Sequence, residues 1–161
     1  MDIRITPGKL CGTLEAPPSK SHAHRLMTAV ALAGKKNSES FCTSEDTRAT
    51  FRCLNELHDG GILDCGESGT TLRFLLPVAS ALGINAEFIG HGRLPERPMS
   101  ALNNALRENG AVISADNLPI KVSGQLHPGV FRVPGNISSQ FISGLLFALP
   151  LLDGDSEIVI E

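Results

Sequence analysis

Three times in this chain an extended approach reaches a small, hydroxyl-rich turn and runs into a strongly apolar segment. The turns are Ser19-Lys20-Ser21, Ser68-Gly69-Thr70-Thr71 and Ile137-Ser138-Ser139-Gln140. Each reads as strand, turn and helix, with the hydroxyls placed to cap free backbone N–H groups. The runs that follow, at about 22–33, from Leu72 to about Leu82 and from Phe141 onward, carry too few polar residues to lie on a surface. They belong inside the fold, with sheets outside them. A buried helix that begins on a polar turn has two explanations: the hydroxyls only cap, or the turn binds a ligand. If the three helices start at one end, their N-termini form a single electropositive surface. No strict period relates the three stretches, so the repeat is one of architecture.

Between these runs, strand-like and helix-like segments alternate, which is the pattern of an α/β fold. Asp2 to Ile5 and Gly12 to Ala16 are expected to be extended, and Ser38 to Thr43 to form a short strand. Ser44-Glu45-Asp46-Thr47 opens a second helix that Gly60-Gly61 stops. Strands are expected at Ile62–Cys65, Ala86–Gly90, 111–114, 119–123, Val130–Val133 and Glu157–Ile160. Pro77 should kink the third helix or mark a late start, and Arg97-Pro98 should begin a fourth.

The chain has 161 residues, enough for one domain with a proper core, and a net charge of −3. That balance gives no global attraction to nucleic acid or anionic membrane, so any anion site must be a local concentration of positive charge. With no Trp and no Tyr, a base-stacking platform is not expected. Cys11, Cys42, Cys53 and Cys65 form no CxxC pair and no zinc spacing, which fits reduced cysteines in a cytoplasmic protein. The start has no charged-then-apolar leader pattern. The longest apolar run, Phe141 to Leu152, is too short to span a bilayer and should be a buried helix.

Two stretches carry the chemistry. In Pro17-Pro18-Ser19-Lys20-Ser21-His22-Ala23-His24-Arg25, Lys20 stands at a helix start and Arg25 about a turn later, a setting for an anionic group. In Gly66-Glu67-Ser68-Gly69-Thr70-Thr71-Leu72-Arg73, glycine permits close approach of a ligand and Arg73 adds charge within the first turn. Neither stretch is a GxxxxGK[ST] phosphate loop or a dinucleotide GxGxxG pattern. His22 and His24 show no carboxylate partner and no metal spacing, so accessory or exposed roles are expected. Glu67 is read as a structural neighbour of a helix cap.

Four stretches, in order along the chain, resemble the motifs of the EPSP synthases (3-phosphoshikimate 1-carboxyvinyltransferases). They are Pro18-Ser19-Lys20-Ser21 through Arg25, Gly66 to Leu75, Glu96-Arg97-Pro98-Met99, and Ser138-Ser139-Gln140 through Leu146. The resemblance implies an enolpyruvyl transferase-like α/β domain of repeated βαβαββ units, helices inside and sheets facing solvent. It implies transfer of the enolpyruvyl group of phosphoenolpyruvate to the 5-hydroxyl of shikimate 3-phosphate, with release of phosphate, in aromatic amino-acid biosynthesis. No metal and no organic cofactor is implied. By this resemblance Lys20 contacts both substrates and is the candidate catalytic residue. Ser21, Arg25, Ser138 and Ser139 hold shikimate 3-phosphate, and Gln140 lies between the substrates. Gly69 and Arg97 line the phosphoenolpyruvate subsite, with Arg73 a weaker addition. Both ligands are phosphorylated carboxylates, which suits bidentate arginine.

The sequence departs from the family pattern in two ways. Full-length members are more than twice as long and continue into a second, C-terminal domain, so residues 1–161 read as part of a shikimate 3-phosphate-binding domain. The step from Leu57 through Gly60-Gly61 to Cys65 also lacks a strand-forming segment that the family usually carries. Such a chain is expected to bind shikimate 3-phosphate weakly and to have little or no turnover alone. Two other readings remain: the related transferase acting on UDP-N-acetylglucosamine, and a non-catalytic anion-binding or assembly module.

Overall fold

A computed structural model of the chain describes residues 3–9 and 11–161. Its centre is the helix α3, Gly69–Ala81, in which Gly69 and every residue from Thr71 to Ala81 are buried. Ser68 caps it, the Ser68 Oγ accepting from the Thr71 N–H at 3.2 Å. The helix starts three residues before the expected Leu72 and carries Pro77 in its interior. Proline has no N–H to offer the carbonyl four residues back, which here is that of Arg73. Gly144 of the helix α5, Ser139–Ala148, packs against that same carbonyl oxygen, where any Cβ would overlap it. The two helices therefore approach closely at a point where one has no intrahelical hydrogen bond to protect and the other has no side chain.

A four-stranded sheet covers α3. Its strands are β1 (Gly61–Asp64), β2 (Ala86–Ile89), β3 (Ala111–Ile113) and β4 (Ile120–Gly124), in the order β1-β2-β4-β3. β1 and β2 are parallel with Leu63 opposite Phe88, and β4 runs antiparallel to both β2 and β3. With α4 (Ser100–Glu108) between β2 and β3, residues 61–124 form one complete β-α-β-α-β-β unit. Leu63, Phe88, Ile120 and Val122 point inward and are buried, whereas Ile62, Val112 and the ion pair Lys121–Glu87 lie on the outer face. This is the period-2 alternation of a sheet with one wet side. A second parallel pair, β5 (Val130–Val133) and β6 (Glu157–Ile160), is joined through α5. Helices inside and sheets outside are thus observed.

The N-terminal part differs. It supplies α1 (Lys20–Leu32) and α2 (Glu45–Glu56), and residues 3–9 and 11–19 hold no helix or strand. The extended segments expected at Asp2–Ile5 and Gly12–Ala16 therefore form no sheet, and Asp2 lies outside the described residues. A strand requires a partner ladder, and Ile3, Ile5 and Leu14 are 78%, 86% and 91% exposed with none beside them. The strand expected at Ser38–Thr43 is a single 3-10 turn, Glu39–Phe41, for which Ser38 is the cap. Ser44 and Thr47 cap α2 reciprocally. α4 begins at Ser100 and not at Arg97, because a residue before proline is pushed out of helical geometry; Arg97 is extended, with φ −76° and ψ 137°. α5 is only partly buried: Phe141, Gly144, Leu145 and Ala148 face α3, while Leu146 is 61% exposed. Among the described residues no helix is long and apolar enough to cross a membrane.

Candidate functional site

The N-termini of α1, α3 and α5 come together at one end of the helical layer. Three tethers set this arrangement. The Gln140 Nε2 amide donates to Thr70 Oγ1 at 2.6 Å, joining the first turns of α5 and α3. Arg73 Nη1 reaches from α3 to Ser138 Oγ, the cap of α5, at 3.4 Å. Arg25 Nη2 donates from α1 to Ser143 Oγ of α5 at 3.3 Å, and its guanidinium lies 5.8 Å from the centre of the Phe74 ring. The hydroxyl-rich turns sit at helix starts, as the sequence predicts, and Ser19, not Ser21, is the cap of α1.

On this end Lys20, Ser21, Arg25, Ser139 and Arg97 are exposed, Ser138 and Gln140 half-buried, and Gly69 and Arg73 buried. Arg25 Nη1 also donates to the Ser21 carbonyl at 3.1 Å, so its guanidinium is held in place. Lys20 Nζ lies 2.7 Å from Asp46 Oδ2, in the first turn of α2. The pair is partly open to solvent, so its contribution to stability is small, but it fixes where the ammonium stands. Arg97 packs directly over Gly69: a Cβ at 69 would stand 2.7 Å from Arg97 Nη1. Gly69 is therefore needed for close approach, with Arg97 as the neighbour it accommodates. Arg97 also lines an open depression of about 380 Å³ together with Glu67, Arg93, Glu96 and Pro98.

Arg73 is placed differently from the exposed cations. It is 7% exposed, and Nη1 donates to Gln140 Oε1 at 2.9 Å while Nη2 donates to the Pro98 carbonyl at 3.1 Å. Burial, and then the charge of Arg97, push its pKa below the usual arginine value.

Beneath the surface a chain of hydroxyls ties α1, α2 and α3 together. His24 Nδ1 and Thr50 Oγ1 are 2.7 Å apart, Thr50 Oγ1 and Thr71 Oγ1 2.6 Å, and Thr71 Oγ1 donates to Ser68 Oγ at 2.7 Å. The Thr71 proton goes to Ser68 and the Thr50 proton is shared between Thr71 Oγ1 and the Asp46 carbonyl, 3.3 Å away, so Thr50 accepts from His24, which donates from Nδ1. That leaves Nε2 a bare, buried acceptor without a partner. The sequence-based expectation of an exposed histidine holds for His22 but not for His24, which is 1% exposed. Burial lowers the His24 pKa to about 4, against an opposing pull from Asp46 and with lesser contributions from Lys20 and Arg25. The ring is neutral at pH 7.

Asp46, Thr50, Thr70 and Ser143 are members of this arrangement that the sequence did not single out. Only the fold brings them to their respective partners, which lie 26, 26, 70 and 118 positions away. The Glu67 carboxylate, in the loop between β1 and α3, lies against Gly92 and 3.8 Å from His91 of the loop after β2. Among the described residues no group of three or more His, Cys, Asp or Glu is placed to hold a metal ion. The assembly offers three exposed cations, an amide edge and several hydroxyls on helix N-termini, which is the donor set of a site for ligands carrying phosphate and carboxylate groups.

Comparison with known proteins bears on the family. The family described as EPSP synthase (3-phosphoshikimate 1-carboxyvinyltransferase) matches residues 58–161. A 3-phosphoshikimate 1-carboxyvinyltransferase from Clostridium novyi is 38% identical over 191 residues, covering 99% of this chain and 44% of the relative. One from Clostridioides difficile is 39% identical, covering 98% of this chain and 44% of that protein. One from Clostridium perfringens strain 13 is 40% identical over 98% of this chain. The chain thus spans about 43% of the length of the curated relatives it matches. The aligned stretch of 191 residues exceeds the 161 of this chain, so the Clostridium novyi relative carries residues that have no counterpart here. The structure of an EPSP synthase from Acinetobacter baumannii superposes with a TM-score of 0.72 at 22% identity, covering 92% of this chain and 40% of that one. This last likeness bears on the fold alone.

Proposed function

This chain belongs to the EPSP synthase family, and from that membership we propose that it supplies the shikimate 3-phosphate-binding part of an enolpyruvyl transferase. The observation that carries the reading is the convergence of three helix N-termini with Lys20, Arg25, Arg97 and Gln140 on one face of a chain whose net charge is −3. In the reaction, phosphoenolpyruvate is protonated at its methylene carbon and attacked at C2 by the 5-hydroxyl of shikimate 3-phosphate. The tetrahedral adduct then loses a proton and phosphate, restoring the double bond as an enolpyruvyl ether. The proposed share of residues 1–161 is binding and electrostatic stabilisation. Ser21, Arg25, Ser138 and Ser139 hold shikimate 3-phosphate, Gly69 and Arg97 line the phosphoenolpyruvate subsite, and Lys20 and Gln140 serve both ligands. Asp46 sets the position of the Lys20 ammonium.

The coverage of relatives by this chain supports a second globular domain as the other part of the site. Closure between two domains excludes water and completes such a site, so this chain is expected to bind shikimate 3-phosphate weakly and to show no turnover alone. The family match favours this reading over the UDP-N-acetylglucosamine relative, and a cytoplasmic location accords with it.

Calorimetric titration with shikimate 3-phosphate, with inorganic phosphate and shikimate as controls, tests the proposal. Binding that requires the whole ligand and is lost in Lys20→Ala and Ser138→Ala supports it. Binding matched by phosphate alone means an anion-binding module without this substrate. Phosphate release by the chain with both substrates would overturn the expected inactivity.

A further inference from the structure

Arg73 is tied to α5 at two levels. Its backbone carbonyl, left free by Pro77, is the oxygen against which Gly144 packs. Its guanidinium turns to the first turn of α5, donating to Gln140 Oε1 and Ser138 Oγ, and lies 5.2 Å from the centre of the Phe141 ring. The remaining terminal nitrogen donates to the Pro98 carbonyl, one residue beyond Arg97. The side chain is 7% exposed, Nη1 and Nη2 are committed to three acceptors, and the one free donor, Nε, is buried away from the surface, so no fork faces an incoming carboxylate or phosphate.

The partner it controls is the Gln140 amide. An amide presents an acceptor on one edge and two donors on the other, and its orientation is decided by the groups around it. Here the carbonyl edge meets a guanidinium, which can only donate, and the N–H edge meets Thr70 Oγ1 at 2.6 Å. A flipped amide would set donors against donors at Arg73 and turn a carbonyl oxygen toward the cationic, donor-rich turn at Gly69 and Thr70. For an anionic ligand that exchange replaces an attractive contact by a repulsive one.

We propose that Arg73 is a positioning residue: it locks the Gln140 amide with its N–H edge toward the Gly69–Thr70 turn, and does not itself touch substrate. This rests on the reading of the face as a site for phosphorylated carboxylates, and it replaces a direct phosphoenolpyruvate contact for Arg73. Lysine at 73 preserves the charge but not the planar fork that spans Gln140, Ser138 and Pro98. A role through geometry and a role through charge therefore separate in Arg73→Lys and Arg73→Met.

The experiment uses the 161-residue chain. In nitrogen-15 NMR of the unliganded protein, the side-chain NH₂ pair of Gln140 is expected at one fixed position in the parent. In both Arg73 variants it should shift toward averaged or doubled signals, with the backbone amides of β1–β4 unmoved. Shikimate 3-phosphate affinity should fall about tenfold in both variants. In a Gln140→Ala background the same substitutions should change it by less than about twofold. Parent-like binding in Arg73→Lys with loss in Arg73→Met, or an undiminished loss in the Gln140→Ala background, would overturn the proposal in favour of direct charge. Loss of the fold in both variants would overturn it in favour of a structural role. If the parent does not bind shikimate 3-phosphate, the functional reading fails, and the NMR signals of Gln140 alone decide the positioning claim.

Discussion

Residues 61–124 and residues 3–60 both contribute residues to the same face, and they are built very differently. The first forms a complete β-α-β-α-β-β unit, with a four-stranded sheet covering the buried α3. The second has α1 and α2, one 3-10 turn on each side of α2, and no strand among its described residues. Yet it is the second that presents Lys20, Ser21 and Arg25. Those residues are held by apolar packing of Met27, Cys53, Leu54 and Leu57 into the core shared with α3, and by polar tethers: Lys20 to Asp46 within the same segment, Arg25 to Ser143 of α5, and the hydroxyl chain from His24 to Ser68. Part of the site is supported by a sheet, and part by two packed helices and their hydrogen bonds. The two should therefore respond differently to truncation, to acid and to added bulk.

The largest contrast is expected in the apolar residues. Leu75, fully buried in α3, should cost about 3–4 kcal/mol when changed to alanine, because truncating a fully buried leucine leaves a cavity that packed neighbours only partly fill. Leu14→Ala, at a residue 91% exposed, should cost less than about 0.5 kcal/mol. Urea unfolding of the two variants measures both, and equal losses would mean that the N-terminal stretch packs in solution as the middle unit does.

The next effect concerns acid. His24 has an ordinary pKa of 6.5 when unfolded and about 4 in the fold, so between these values the unfolded chain binds the extra proton. The stabilising term is complete above pH 6.5, declines as pH falls, and is exhausted below about 4, a total of about 3 kcal/mol. Asp46, Lys20 and Arg25 are the charged groups that act on His24, and its hydroxyl partner is Thr50. Urea midpoints followed from pH 7 to pH 4 should fall in the parent and fall less in His24→Gln. Parallel curves would show that His24 is not what ties α1 to the rest.

The smallest effect is local to the seam between the α3 turn and the loop before α4. Gly69→Ala would bring a methyl group 2.7 Å from Arg97 Nη1, a flexible group that can shift at modest cost. In a complete enzyme this should raise the KM for phosphoenolpyruvate several-fold, on the order of 1 kcal/mol, with little change in stability. Steady-state kinetics of the variant decide it, since an unchanged KM would leave Gly69 as a turn residue only.

The local chemistry was legible in the sequence by itself. Apolar runs behind hydroxyl turns marked α1, α3 and α5 as helices, and the order of four motifs pointed to one family, but only α3 is almost wholly inside, while α1 and α5 each bury one face. β1 through β6 could be found from short apolar segments between turn residues. Tertiary structure decided whatever depended on a partner distant in the chain. The extended segments at Ile3–Ile5 and Gly12–Ala16 found no ladder and so formed no sheet, since a strand is defined by its neighbour. His24 and Arg73 are polar side chains that became buried where Thr50 and Gln140, 26 and 67 positions along the chain, take up one ring nitrogen and one guanidinium nitrogen, while His24 Nε2 and Arg73 Nε stay without partners. Residue types and spacings determined which groups could bind an anion. Only packing decided which of them face solvent to do so and which hold the others in place.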